Sequence, residues 1–144
     1  MGDAKSVIEQ LLERWNAHDK EGTAALYDDA VELEAPGGVT MSGRDGWRAF
    51  YDMWTSAFPD NTIVGSVVRG AGDLGVQEAR FTGTHTGTLQ APSGDIPATG
   101  RRVDVRYTGV HTVSGGLITS MHLYFDQAEL LTQLGLMPAP AAAG

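Results

Sequence analysis

Four runs rich in β-favouring residues occupy most of the chain between residues 62 and 125, and they constrain the fold more than any other feature. The runs cover residues 62–69, 75–89, 101–113 and 117–125. Glycine-containing turns at 70–73 and 114–116 separate neighbouring runs, and such short turns join antiparallel strands as hairpins. Residues 90–100 carry two prolines and two glycines, so a longer loop is predicted there. We therefore predict an antiparallel sheet.

One face of this sheet is predicted to be apolar. Side chains of a strand point alternately to its two faces, so residues of one parity share a face. The odd positions of the third run are Val103, Val105, Tyr107, Gly109, His111 and Val113. The same alternation turns inward Met121, Leu123 and Phe125 of the last run, and Ala79, Phe81, Gly83 and His85 of the second. An apolar face needs cover, which helices elsewhere in the chain can provide.

Amphipathic helices are predicted on either side of the β-rich segment. Apolar residues recur at helical spacing in two sets: Val7, Ile8, Leu11, Leu12 and Trp15, then Trp47, Phe50, Tyr51, Trp54 and Phe58. Between them we predict a short helix that includes residues 24–27 and ends near 28–29, followed by a strand at 31–35. A capping-box pattern at 126–129 opens a last short helix.

These elements predict a single α+β domain over residues 1–136, with helices packed on one face of a curled sheet around a pocket. The remaining residues, 137–144, are rich in proline and alanine and are predicted to form a flexible tail. A chain of 144 residues falls within the usual size of one domain, and its apolar content is enough for one core.

The composition excludes several classes of function. With 10 basic and 18 acidic residues the formal net charge is −8, so neither nucleic acid nor an anionic membrane surface is an expected partner. The absence of cysteine removes disulfides, thiolate zinc sites and cysteine nucleophiles, and it fits a cytoplasmic protein. No apolar stretch approaches the ~18 residues that suggest a membrane span.

Sparse polar residues on the apolar face mark a candidate ligand pocket. His85, Tyr107 and His111 have inward parity, and a few polar groups among apolar ones are what orient a ligand. A histidine can transfer protons near neutral pH, and a tyrosine hydroxyl can donate to a carbonyl or enolate oxygen. The alternative for each is a core residue whose hydrogen bonds are satisfied. The same pocket is predicted to be lined by Trp15, Tyr51, Trp54, Met121, Leu123 and Phe125.

Two other candidate roles are disfavoured. Asp126 is a carboxylate close to the predicted pocket, but its outward parity and its capping-box position favour a structural role. Two histidines without a suitably placed carboxylate are a weak metal signal, so no metal site is expected.

Four strings of the sequence, taken in order, resemble a known family. They are Gly83-Thr84-His85-Thr86-Gly87, Pro97-Ala98-Thr99-Gly100-Arg101, Gly115-Gly116-Leu117-Ile118 and Gln133-Leu134-Gly135-Leu136. With the predicted order of elements, they resemble the SnoaL-like polyketide cyclases of the nuclear-transport-factor-2-like (NTF2-like) superfamily, over about residues 4–136. The resemblance implies an α+β cone with a ligand cavity and commonly a homodimer formed through the sheet. It also implies ring closure by aldol chemistry without a metal or organic cofactor.

The resemblance further implies a pocket aspartate as acid/base group and a histidine on the neighbouring strand. Carried over without gaps from the strings around Arg101 and Gly135, these two roles fall on Leu123 and Gly109, which cannot perform them. His111 is two residues from Gly109 on the same face, and His85 lies on another strand. Both histidines are therefore candidate replacements.

Three functional hypotheses follow. The leading one is a cofactor-independent acid/base enzyme that cyclises, isomerises or opens a ring in a hydrophobic small molecule, using His111 or His85 with Tyr107. The alternatives are a non-catalytic small-molecule-binding protein, suggested by Leu123 and Gly109, and a structural association module. A homodimer is expected through the outer sheet face, whose β-favouring hydroxyl residues are Thr82, Thr84, Thr86, Thr88, Thr108 and Thr112.

Overall fold

The computed structural model describes residues 3–92 and 94–138. Its helices are α1 (Ala4–Asn16), α2 (Lys20–Ala24), α3 (Gly43–Ala57) and α4 (Gln127–Gln133). Its strands are β1 (Tyr27–Ala35), β2 (Val39–Ser42), β3 (Thr62–Ala71), β4 (Leu74–Thr84), β5 (Leu89–Ala91), β6 (Gly94–Ile96), β7 (Arg102–Ser114) and β8 (Leu117–Phe125). The predicted flexible tail lies outside the described residues from 139 onward. Among the helices of the described ranges, none is long and apolar enough to cross a membrane.

A six-stranded sheet in the order β2-β1-β8-β7-β4-β3 forms the framework. Neighbouring strands are antiparallel, except that β1 runs parallel to β8. The two predicted hairpins are present, since β3 pairs with β4 and β7 pairs with β8. Register irregularities in three of the pairs accompany the curl of this open sheet. The predicted α+β class with an antiparallel-dominated sheet is confirmed.

The predicted extension of the second helix through Tyr27 is wrong. The helix α2 ends at Ala24, and Tyr27 begins β1, where it pairs with Ile118 of β8. Its ring stacks on that of Trp47 with 4.2 Å between centroids. This packing overrides the local helical pattern, because propensity is a weak preference that tertiary contacts can reverse.

The predicted second β run is too long, and the segment after it is not a simple loop. The strand β4 stops at Thr84 because the next backbone groups bond elsewhere. The N–H of His85 donates to the carbonyl of Arg101 at 2.8 Å, and the N–H groups of Thr86 and Gly87 both donate to Ala57 at 3.1 Å. Within the predicted loop over 90–100, β5 and β6 form a short hairpin.

The helices cover the face of the sheet that alternation predicts to be buried. Along β7, Asp104 and Arg106 are exposed, whereas the buried residues are Val103, Val105, Gly109, His111 and Val113. Against this face α1 buries Val7, Ile8, Leu11 and Trp15, and α3 buries Trp47, Phe50 and Tyr51. The sheet and the two helices therefore enclose a common apolar interior.

Side-chain bonds to the backbone fasten the C-terminal helix to the sheet. The amide of Gln133 accepts from the N–H of Asp104 at 2.6 Å and donates to the carbonyl of the same residue at 3.0 Å. At the other end of α4, the carboxylate of Asp126 accepts from the N–H groups of Ala128 and Glu129 at 2.9 and 3.2 Å. The predicted capping role of Asp126 is confirmed, and its side chain is exposed.

Candidate active site

A cavity of about 90 Å³ lies between the buried face of the sheet and helices α1, α3 and α4. Most of its walls are apolar. Seven of the nine residues predicted for the pocket line this cavity: Trp15, Trp54, Tyr107, His111, Met121, Leu123 and Phe125. The volume is well below the roughly 300–1,000 Å³ of drug-sized pockets, so the cavity favours a compact ligand.

Three polar side chains meet at one wall of the cavity. Gln77 of β4 is opposite Gly109 of β7 in the sheet register, between the positions opposite Tyr107 and His111. Its amide nitrogen donates to the Tyr107 hydroxyl oxygen at 2.5 Å, and its amide oxygen lies 3.3 Å from Nε2 of His111. Because these residues share one strand parity, their side chains emerge on the same face and reach one another.

The amide of Gln77 determines where the protons of its two neighbours lie. In the amide orientation that the structure has, the oxygen of Gln77 faces His111 and only accepts, so this pairing requires the imidazole proton on Nε2 and leaves a lone pair on Nδ1. An amide nitrogen only donates, so the Tyr107 oxygen accepts and its hydroxyl hydrogen stays available. Nδ1 of His111 is buried and has no hydrogen-bond partner among the described residues. Among the described residues, Nδ1 of His111 is thus an acceptor without a donor, and the Tyr107 hydroxyl is a donor without an acceptor.

Both groups are neutral at pH 7. Burial lowers the pKa of His111 to about 4, because the apolar surroundings disfavour the charged imidazolium. Burial also raises the pKa of the Tyr107 hydroxyl well above its usual value. Tyr107 is therefore a hydrogen-bond donor that keeps its proton, and His111 is a weak base.

The ring of His111 occupies space above Gly109. A Cβ atom at Gly109 would lie 2.8 Å from Nε2 of His111 and 3.5 Å from the amide oxygen of Gln77. Leu123 is opposite Gly109 in the β7–β8 register and also lines the cavity. The two positions where the resemblance places a histidine and an aspartate are thus neighbours, and the His111 ring lies over Gly109.

Tyr51 does not line the cavity, contrary to the sequence-based expectation. It is buried behind Trp15, with its ring edge-on to the indole at 5.0 Å between centroids. Helical spacing placed Tyr51 on the apolar face of α3 correctly. It could not show that Trp15 of α1 stands between this ring and the cavity.

His85 is buried as predicted but lies outside the cavity. Its ring stacks on Phe58 at 5.2 Å, and its Nδ1 accepts from the N–H of Thr99 at 3.2 Å. Burial lowers the pKa of this imidazole. Because the strand ends at Thr84, His85 turns away from the sheet and ties residues 85–87 to the segment before β7. Nε2 of His85 is buried without a hydrogen-bond partner among the described residues, but His85 is not part of the cavity lining, so the structure does not bring it together with Tyr107 and His111.

Gln77 is the site residue that the sequence analysis missed. The alternation that turns the side chains of Ala79 and Phe81 inward also turns that of Gln77 inward, because Gln77 lies two residues before Ala79 on β4. A polar residue at that parity was the available signal. Among the residues that the structure describes, no three His, Asp or Glu side chains gather as a metal site would require.

Solved structures define the class of fold. The chain is similar to a Catenulispora acidiphila DSM 44928 protein with a ketosteroid isomerase-like fold, at 19% identity and a TM-score of 0.74, over 93% of this chain and 97% of that one. It is also similar to IdmH from Streptomyces antibioticus, at 25% identity and a TM-score of 0.75, over 92% and 99% of the two chains. The chain is therefore a small α+β protein of this cavity-forming fold.

The family follows from the sequence itself. Residues 8–121 match the model of the SnoaL-like domain, which is most of the chain, so the protein belongs to this family. A protein of Jannaschia sp. CCS1 named as a SnoaL-like polyketide cyclase is 21% identical, with a TM-score of 0.79 over 92% of each chain. No curated protein matches the sequence significantly.

The contact above Gly109 yields a prediction. Replacing Gly109 by Ala should push the His111 ring away from Gln77 and cost about 1 kcal/mol of unfolding free energy, since a hydrogen bond in the interior is lost. Urea unfolding measures this cost. In a His111→Ala background the same substitution should cost nothing, because no ring remains to be displaced. An equal cost in both backgrounds would contradict the contact.

Proposed function

We propose that the protein is a cofactor-independent enzyme that moves a proton within a compact hydrophobic carbonyl compound. The observation that carries this proposal is the pairing of a free acceptor, Nδ1 of His111, with a free donor, the Tyr107 hydroxyl, at one wall of an apolar cavity. Membership of the SnoaL-like family supports a cyclase-like or isomerase-like role.

The proposed reaction begins with removal of a proton from the carbon next to the ligand carbonyl. Nδ1 of His111 takes the proton, and the electrons of the C–H bond form the enolate. The Tyr107 hydroxyl donates a hydrogen bond to the enolate oxygen, where the negative charge develops. The imidazolium then returns the proton to the far carbon of a double bond conjugated with the enolate, which isomerises the ligand, or to the oxygen of a second carbonyl that the enolate carbon has attacked, which closes a ring.

The basicity of His111 restricts the substrate. A base with a pKa of about 4 removes protons efficiently only from carbon acids that are themselves unusually acidic. A carbon between two carbonyl groups meets this condition, because both carbonyls share the charge of the enolate. We therefore propose a compact 1,3-dicarbonyl compound, a unit that occurs in polyketide chains.

A non-catalytic binding protein is the second candidate function. It is favoured by Leu123 and Gly109, which replace with apolar surface the two groups that the family resemblance implies. The two candidates differ in one measurable respect. An enzyme accelerates exchange of the proton next to a bound carbonyl, whereas a binding protein takes up the ligand without accelerating exchange.

Deuterium exchange into ethyl acetoacetate, a compact 1,3-dicarbonyl compound, tests the proposed roles. The wild-type protein should accelerate exchange over buffer at neutral pH, as followed by NMR. His111→Ala and Tyr107→Phe should each lower the catalysed rate roughly a hundredfold, since one removes the base and the other the donor to the enolate oxygen.

The matched control for this experiment is Asp126→Asn. The replaced carboxylate is exposed, and asparagine also caps helices well, so both rate and fold should be preserved. Exchange that survives in folded His111→Ala but collapses in folded Asp126→Asn would overturn the assignment. Binding of ethyl acetoacetate by the wild type without any acceleration would favour the binding protein.

We also propose a homodimer through the outer face of the sheet, with a smaller contact set than alternation predicts. Thr86 and Thr88 follow the end of β4, and Thr82 is buried with its hydroxyl donating to the carbonyl of Thr62 at 3.0 Å. The outer face of β7 and β8 instead carries two cross-strand pairs. Thr108 is opposite Tyr124, which is exposed, and Val110 is opposite His122.

Light scattering at micromolar concentration tests this interface. The wild type should have the mass of a dimer, and Val110→Glu should have that of a monomer, because the substitution places like charges opposite each other across a two-fold interface. A wild-type monomer would contradict the proposal. Glu9→Lys, on the exposed side of α1, is the control and should leave the mass unchanged.

A further inference from the structure

The three tryptophans of the protein differ in how their indole N–H groups are satisfied. Nε1 of Trp15 donates to the side-chain oxygen of Asn61 at 2.7 Å, and Nε1 of Trp47 donates to the hydroxyl of Thr23 at 2.9 Å. Nε1 of Trp54 is buried and has no hydrogen-bond partner among the described residues. Trp54 lines the cavity.

The surroundings of Trp54 contain aromatic rings rather than acceptors. The rings of Phe50, Phe58, Phe81 and Phe125 lie between 5.5 and 6.3 Å from the indole, measured between centroids. Burial of a donor without an acceptor is costly, because the group loses its hydrogen bond to water. A phenylalanine would supply similar packing without that cost. The N–H of Trp54 therefore has no structural explanation in the folded chain.

Trp54 and His111 lie towards different parts of the cavity. The ring of Phe125 packs edge-on against Trp54, and Phe125 is opposite Tyr107 in the β7–β8 register. His111 is opposite Met121, four residues further along the hairpin. At a strand rise of roughly 3.3 Å per residue, the two rows are about 13 Å apart along the backbone. Trp54 therefore lies nearer the row of Tyr107 than that of His111, so a compact ligand whose carbonyl is at Tyr107 can place a second oxygen at Trp54.

We propose that the indole N–H of Trp54 is a second anchor of the cavity, which donates a hydrogen bond to an acceptor oxygen on the ligand other than its reacting carbonyl. The ligand class is then a compact apolar compound with two oxygen functions, one at Tyr107 and one at Trp54. This inference rests on the proposed function only in using the same cavity.

Affinity for a matched pair of probes tests the anchor. The pair consists of β-tetralone with a methoxy group on the ring remote from the ketone and the analogue with an ethyl group there. The two differ only in the ether oxygen. The wild type should bind the methoxy probe roughly tenfold more tightly in calorimetric titration, since only that probe offers Trp54 an acceptor. Trp54→Phe should bind the two probes equally.

Trp15→Phe is the matched control, because it removes the same atoms from an indole whose N–H already has a partner. That comparison concerns stability, because Trp15 itself lines the cavity; the affinity control is Tyr51→Phe, at a buried residue outside the cavity, which should keep the preference for the methoxy probe. Trp15→Phe should lower the unfolding free energy more than Trp54→Phe does, since it leaves the oxygen of Asn61 unpaired. An equal preference in Trp54→Phe and the wild type, or failure of the wild type to bind either probe, would overturn the anchor.

The result is separable from the proposed enzymatic role. If the methoxy probe binds with the expected preference but exchange into ethyl acetoacetate is not accelerated, the proposed reaction fails and the anchor stands. If exchange is accelerated but the preference is absent, the anchor fails and the reaction stands. A larger loss of stability in Trp54→Phe than in Trp15→Phe would show that the N–H of Trp54 has a partner within the protein, which contradicts the proposal.

Discussion

The amide of Gln77 decides what the cavity can do. In an apolar enclosure a polar group must be paired, and this amide has one oxygen and one nitrogen to share between two neighbours. It accepts from His111 and donates to Tyr107, so the imidazole has a free Nδ1 and the phenol a free hydrogen. A carboxylate in its place would hold a negative charge beside the imidazole and make His111 a stronger base. The neutral amide leaves the base weak, which is why the proposed substrate is an unusually acidic carbon acid.

Period-two alternation explains why much of this arrangement could be predicted from the sequence. It turned Tyr107 and His111 inward, and the structure places both at the cavity wall. Alternation could not show where a strand ends, because that depends on which backbone groups find partners. His85 lies outside the sheet for this reason. The carbonyls of Arg101 and Ala57 accept hydrogen bonds from the N–H groups of residues 85–87, so these residues cannot continue β4. Nor could alternation show that the side chain of Gln77 reaches both Tyr107 and His111, because such contacts arise between strands.

The four sequence strings that carry the family resemblance make contacts that hold loops, strands and the last helix together, and they supply none of the polar residues of the cavity. His85 and Thr99 join the first two strings by a hydrogen bond, and a Cβ at Gly87 would lie 2.0 Å from the backbone oxygen of Ser56. In the last string, Gln133 bonds to the backbone of β7, and Gly135 lies against the guanidinium of Arg101 at a φ of 77°. The polar residues of the cavity lie outside all four strings. The fold and the family could therefore be identified from the sequence, while the chemistry has to be argued from the site.

The tautomer and charge of His111 test the central claim most directly. Long-range proton–nitrogen NMR correlations of the imidazole, recorded from pH 7 downward, report which nitrogen carries the proton and where the ring becomes charged. The account predicts a neutral ring with its proton on Nε2 and an unprotonated Nδ1, and no charge until the pH approaches 4. Replacing Gln77 by Leu should abolish the preference for that tautomer. A ring that is charged near pH 7, or that carries its proton on Nδ1 beside an intact Gln77, would contradict the account.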